Sequence, residues 1–155
     1  MSSLTLKLEP LTHETFEEFG EVISSDDSGG VELINYGLTK CHVRQSEIDT
    51  LDKNGTTTMR LFDTEPIILP YRLRIMERHP LGTQAFVNID CNPYVLVVGK
   101  AGRFDLDNLK AFVARPDQSI NYSKGTWHHH SLCLNVSLFC SSKIRSDSSF
   151  INQAR

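Results

Sequence analysis

Apolar and polar residues alternate one by one along much of this chain. Leu4, Leu6 and Leu8 bracket Thr5 and Lys7; on a strand such residues fall on one face and their neighbours on the other. The period changes over residues 11–20. Thr12 can accept backbone N–H groups as an N-cap, Leu11 and Phe16 stand at the spacing of a hydrophobic staple, and Gly20 suits the position after a helix end. One short N-terminal helix is predicted there. Residues 24–30 (SSDDSGG) form a turn or loop, 31–36 a strand, and 45–57, with Asn54-Gly55, a connecting segment.

From Thr58 onward the pattern is almost wholly β. Runs at 58–62, 71–78, 84–90, 94–99, 110–114, 119–122 and 126–139 are punctuated by Pro66, Pro70, Pro80, Gly82, Asn92-Pro93, Gly102, Pro116 and Gly125. Many short strands separated by Gly and Pro turns predict a sandwich or barrel. The 155 residues fit one domain of ordinary size, roughly 100–200 residues. Residues 1–155 are therefore expected to form a single domain, with the polar stretch 141–155 as a surface tail.

Composition narrows the partners. Hydrophobic residues make up 39% and charged residues 23%, a globular mixture that can bury a core without staples. A net charge of −3 offers no clustered basic field for nucleic acid or an anionic membrane, although a local Arg or Lys could still meet a small anion. A small-molecule substrate is the expected partner. The first residues lack the pattern of a signal peptide, and no apolar run approaches the roughly 18 residues of a membrane span. Cys41, Cys91, Cys133 and Cys140 form no CxxC pair, which fits reduced thiols in the cytoplasm.

Candidate chemistry gathers in two stretches. In residues 72–79 one strand face carries Leu73, Ile75, Glu77 and His79, and the other Arg72, Arg74, Met76 and Arg78. The apolar pair marks the first face as inward, so Glu77 and His79 extend an interior row; buried, they need partners or a metal. The alternative is a strand that leaves the core at Glu77, with both residues in water. Pro80-Leu81-Gly82-Thr83 is a tight connection, and it returns Gln84 beside them. The arginines are expected at the surface or a subunit contact. In the second stretch, Trp127-His128-His129-His130 cannot all face one ligand. Trp127 is expected to pack, and the histidines to divide into one site residue, one structural residue and one near solvent.

Together the stretches reproduce the spacing of a cupin barrel, in which H-x-H-x(3,4)-E and P-x-G-x(2)-H supply four inward ligands. Glu77-x-His79-x(4)-Gln84 matches the first and Gly125-x-x-His128 the second, with Glu in place of the first His, Gln in place of Glu, and Ser123 in place of Pro. His128 is thus the preferred site residue. Two imidazoles, a carboxylate and a weak Gln oxygen suit a divalent ion, and suit metal-free acid–base chemistry equally. The expected fold is mainly β: a small, cupin-like antiparallel β-barrel with one short helix.

Longer runs of residues point to a family. Met76-Glu77-Arg78-His79-Pro80-Leu81-Gly82-Thr83-Gln84-Ala85-Phe86 resembles the ERHPLG-S/T-QAF signature of ureidoglycolate lyases. The segment from Asn121 to His129 is similar to their NYHRG-x-WHH, and the opening from Leu11 to Ile23 to their L-T-x-E-x-F-x-x-F/Y-G-x-V-I. Ser123 stands where many members have His, and His130 where Pro is common.

The resemblance implies cleavage of (S)-ureidoglycolate to glyoxylate and urea in allantoin and purine breakdown. It also implies a homodimer and an association with nickel. On that reading His128 is the base or a metal ligand, His79 its partner, Glu77 an orienting or ligating group, and Gln84 a hydrogen-bonder to urea or carboxylate. Arg60, Lys40 and Lys124 are candidates to hold the carboxylate. Asn35 and Tyr122 either line the pocket or close turns and pack. Two rivals stand beside this reading: a cupin metalloenzyme acting on another small hydroxy or keto acid, and a non-catalytic barrel that binds a small ligand.

Overall fold

The computed structural model describes residues 4–26, 30–43, 46–145 and 150–153, the last group as backbone only. The expectations for residues 27–29, 45, 146–149 and 154–155 lie outside the described residues. In chain order the elements are β1 (Leu8–Pro10), α1 (His13–Phe16), β2 (Gly20–Ile23), β3 (Val31–Ile34), β4 (Thr39–His42), β5 (Thr57–Thr64), β6 (Ile75–Arg78) and β7 (Gln84–Asn88). They continue as β8 (Tyr94–Gly99), β9 (Lys110–Ala114), β10 (Ser119–Tyr122), β11 (Trp127–His128), β12 (Leu132–Cys133), β13 (Ser137–Ile144) and β14 (Phe150–Gln153). Helix α1 is a single turn. Thr12 caps it as expected, its side chain accepting from the Thr15 N–H while Thr15 reaches back, and Leu11 and Phe16 are both buried. Gly20 does not end the helix but opens β2.

Two sheets face each other across one core, a mainly antiparallel, cupin-like arrangement. One runs β1-β9-β8-β11-β6-β14 with β12 paired to β8; the other runs β2-β10-β7-β13-β5. Only β1 against β9 is parallel among the named pairs. No ladder among the described residues closes the two sheets into a hydrogen-bonded ring. Between them lies a core rich in aromatics. Phe16, Phe19, Phe112 and Tyr122 pack with ring centroids 5.8–6.1 Å apart, contacts worth about 0.5–1.5 kcal/mol each beyond area burial.

The sequence expectations need three corrections. The run 126–139 is not one strand: it breaks into β11 and β12 in one sheet and then crosses to β13 in the other. The stretch from Ser141 is not a surface tail at its start. It extends β13 to Ile144, with Ser141 and Ile144 buried, and Phe150–Gln153 pairs with β6 as β14. The faces of the segment before His79 also differ. Met76 is 2% exposed, whereas Ile75 is 44% exposed. Met76 joins Val95, Val97, Ala111, Trp127 and Leu132 in a second core on the far side of the seven-stranded sheet, with Leu73 and Phe104 packed against it. Arg78 lies over the Trp127 ring at 4.9 Å and donates to the Gly102 carbonyl at 2.9 Å. Arg72 and Arg74 are exposed. The outer face of this sheet is covered, so apolar and long side chains pack on both sides.

Two close approaches fix the sheet that faces the site. Gly20 pairs with Tyr122, and a Cβ there would overlap the Asn121 carbonyl. Ile144, on the outer face of β13, fills the space beside Gly55 and Gly82, and a Cβ at Gly55 would overlap it. Gly20→Ala is expected to destabilise the protein by about 2 kcal/mol or more, the range for forced overlap in a packed interior. Urea denaturation checks this, and a loss under about 0.5 kcal/mol would show that the backbone yields there.

Candidate functional site

His128 occupies the second position of β11, opposite Glu77 on β6 and Val98 on β8. Residues directly opposite share a sheet face. Val98 belongs to the inner core, so His128 and Glu77 face inward with it. His79 lies just past the end of β6, its carbonyl held by the Gly125 N–H at 2.9 Å. The turn after β6 then sends Gln84 into β7, opposite Tyr122 on β10. Glu77 Oε1 is 4.0 Å from His128 Nδ1, and the His79 and His128 ring centroids are 5.4 Å apart. Tyr122 stacks flat on His128, with centroids 4.3 Å apart and planes 6° apart.

Burial sets the electrostatics. His128 is 1% exposed, and among the described residues neither of its ring nitrogens has a hydrogen-bond partner. Loss of water, helped by His79 and Lys143 nearby, pushes it down to about 3. Burial likewise pushes His79 down to about 4, with the Lys143 ammonium adding to the effect and Gln84 opposing it. Both imidazoles are therefore neutral at ordinary pH. Burial raises the Glu77 carboxyl, against the pull of Lys143 and His130, and raises the Tyr122 phenol, whose Oη has no hydrogen-bond partner among the described residues. A neutral imidazole stacked on an aromatic and backed by a carboxyl can accept a proton and hand it on.

Ligand atoms of Glu77, His79 and His128 all lie within 4.8 Å of one another and could hold a metal ion. The donor set fits a divalent cation, since buried His128 nitrogens without partners are costly unless something is bound to them. Gln84, 4% exposed, borders this trio but is not one of the three.

The other sequence candidates separate. Tyr122 is in the site. Arg60 lies on β5, exposed, and its charge reaches His79. Lys124 is held by Asp49 and Asp52 at 2.7 and 2.9 Å. Asn35 closes the β3–β4 hairpin with positive φ, its amide donating to Thr39 Oγ1 at 3.2 Å, and Lys40 is exposed on β4. Among the described residues no contact ties Asn35, Lys40 or Lys124 to the trio. Of the neighbouring histidines, His129 is buried against Tyr71 and His130 is exposed. Lys143 was missed by the sequence reading. Alternation continued from His128 would put it on the opposite face; it turns inward only because β13 crosses to the other sheet.

Acidification tests the neutral state of His128. Its folded value lies below the ordinary 6.5, so the unfolded chain takes up the proton first. Stability that rests on neutral His128 is complete above about pH 6.5 and falls as pH drops below it. Between pH 7 and pH 5 this residue is expected to cost about 2 kcal/mol. Urea denaturation of the wild type and His128→Gln at both pH values checks this: the wild type should lose that much more on acidification.

The chain matches the model of the family described as ureidoglycolate lyase over residues 3–147. It is 41% identical over 130 residues to a Burkholderia mallei protein named ureidoglycolate lyase, covering 84% of this chain and 76% of that protein. A Pseudomonas paraeruginosa protein of the same name is 37% identical over 131 residues, covering 84% and 77%. One from Pseudomonas syringae pv. tomato is 37% identical over 131 residues, covering 84% and 76%. With matches of this extent, lying across every strand that builds the site, the chain belongs to the ureidoglycolate lyase family.

Proposed function

We propose that this protein, as a single cupin-like domain, cleaves (S)-ureidoglycolate to glyoxylate and urea. The observation that carries this is His128: buried, uncharged, with both ring nitrogens unpartnered among the described residues, between the Tyr122 ring and the Glu77 carboxyl. The family membership supplies the substrate. The reaction needs the proton of the carbinol hydroxyl to leave as the C–N bond breaks. The oxygen's electron pair becomes the new carbonyl, the C–N pair stays on the urea nitrogen, and that nitrogen takes up a proton.

His128 acts as the base toward the hydroxyl, and its burial keeps it in the receptive form. His79 carries the proton to the departing nitrogen. Glu77 orients His128 and offsets the charge that forms on it, and Gln84 hydrogen-bonds the urea portion. When a divalent ion is bound, nickel by family resemblance, Glu77, His79 and His128 would hold it, with Gln84 as a weak fourth ligand, and it would acidify a bound hydroxyl.

The same reading includes a two-fold dimer in the cytoplasm. The outer face of the five-stranded sheet supports a dimer: Met59, Leu61 and Val87 point outward there and are 77%, 68% and 45% exposed. The four cysteines carry no disulfide, as a reducing compartment favours. No helix among the described residues is long and apolar enough to cross a membrane.

Purified protein should release equimolar urea and glyoxylate from ureidoglycolate, assayed with and without chelator. His128→Gln should keep the fold and lose about 10²-fold or more of turnover. His129→Gln, on the opposite side, should retain turnover per folded molecule. Equal losses at both positions would remove His128 from the role of base, and oxygen consumption without urea would mark a different cupin chemistry. Light scattering at micromolar concentration should give a dimer, and Leu61→Asp a monomer.

A further inference from the structure

Two tyrosines lie buried in the inner core, and the fold employs the hydroxyl of one of them. Tyr94 and Tyr122 are 0% and 2% exposed and belong to the same cluster. Tyr94 donates to the Gln118 carbonyl at 3.2 Å, as a buried phenol ordinarily does. The Tyr122 Oη is shut away from solvent and has no hydrogen-bond partner among the described residues. Phenylalanine would fill this place without the cost of an unpaired hydroxyl, as the neighbouring rings of Phe16 and Phe86 do. The exception falls where the chemistry is. The Tyr122 ring lies flat on His128, with centroids 4.3 Å and planes 6° apart, and Tyr122 stands directly opposite Gln84 on the adjoining strand. A phenol oxygen lies in the plane of its ring, so a ligand at the rim of this stack can meet the hydroxyl and the imidazole together.

We propose that the Tyr122 hydroxyl donates a hydrogen bond to the carbinol oxygen of the substrate, the atom from which His128 takes its proton. This rests on the proposed lyase reading for its substrate. Stacking on the base singles out that oxygen, while the ureido group falls to Gln84.

The role follows the charge through the reaction. As the carbinol proton passes to His128, the oxygen gathers negative charge until the C–N bond breaks and its electron pair becomes the new carbonyl. A donor already held beside that oxygen binds it more strongly as the charge grows, and needs no rearrangement to do so. Tyr122 keeps its own proton throughout, since a phenol ionises only near about pH 10. The proton that leaves the carbinol still reaches the departing nitrogen through His128 and His79, so the hydroxyl alters no balance of atoms or charge. Tyr122 thus has two separable parts: a ring that keeps His128 dry, and an oxygen that the fold leaves for the ligand.

The test compares Tyr122→Phe with the wild type and with Tyr94→Phe, since both substitutions keep a ring and remove only a hydroxyl. Tyr122→Phe should unfold at the same urea concentration as the wild type or a higher one. Tyr94→Phe takes the donor from the Gln118 carbonyl, so it should unfold at a lower one and keep its turnover per folded molecule. Turnover of ureidoglycolate by Tyr122→Phe should fall about 10- to 100-fold, as for a charge-assisted hydrogen bond, with KM changed by less than about threefold. Binding gives a readout that needs no catalysis. Glycolate carries the carboxylate and the hydroxyl of the reacting carbon, and acetate carries the carboxylate alone. In titrations followed by nuclear magnetic resonance, the wild type should bind glycolate about 3- to 10-fold more tightly than acetate, and Tyr122→Phe should bind the two alike. A glycolate preference that survives in Tyr122→Phe, a wild type without one, undiminished turnover, or a lower urea midpoint for Tyr122→Phe overturns the assignment. Should the wild type release no urea, the lyase reading fails, while the glycolate and acetate titrations still decide whether the hydroxyl meets a ligand oxygen.

Discussion

The stacked pair of Tyr122 and His128 joins the two sheets at the site. Tyr122 belongs to β10 and His128 to β11, in different sheets, and their rings lie nearly parallel across the inner space. An imidazole in that position cannot be hydrated and cannot easily be charged. Every other feature of the site follows from holding it there. Gly20 must lack a side chain so that β2 can lie against the Tyr122 strand. Glu77 must stand opposite His128 to give the ring a carboxyl neighbour. Phe16 packs against the Tyr122 ring and is itself packed with Phe19 and Phe112.

The cost of this arrangement explains its location. A buried imidazole with two unpartnered nitrogens destabilises the fold by roughly 1–3 kcal/mol for the lost hydrogen bonds. Such groups persist where something is meant to bind them. Here the expense sits between two hydrophobic clusters, one inside the sheets and one outside. That double packing holds β6 and β11 in register around His128.

Much of the site was legible in the chain because its two halves are local. Glu77, His79 and Gln84 lie within one strand-turn-strand unit, and His128 follows a glycine turn at fixed spacing, so short motifs reveal them. The Gly and Pro punctuation likewise marked most strands of the two sheets. What escaped was long-range. Alternation can nominate one inward face, but β6 is packed on both, so Met76 is buried and Arg78 covers the Trp127 ring on the face that alternation marks as outer. Lys143 was invisible because its position depends on β13 having crossed to the other sheet, which no local pattern announces. Asn35 and Lys40 were plausible by type alone, and type carries no information about distance.

Ile144 gives this layout an unexpected reach. It is the immediate neighbour of Lys143 but points the other way, into the gap beside Gly55 and Gly82. The loop that carries Gly55 is strapped down by Lys124 through Asp49 and Asp52. A larger side chain at residue 55 would push on Ile144, turn β13, and displace the ammonium on its opposite edge. A side chain at residue 55, far from any ligand, is therefore felt inside the five-stranded sheet through Ile144, although that glycine need never touch one.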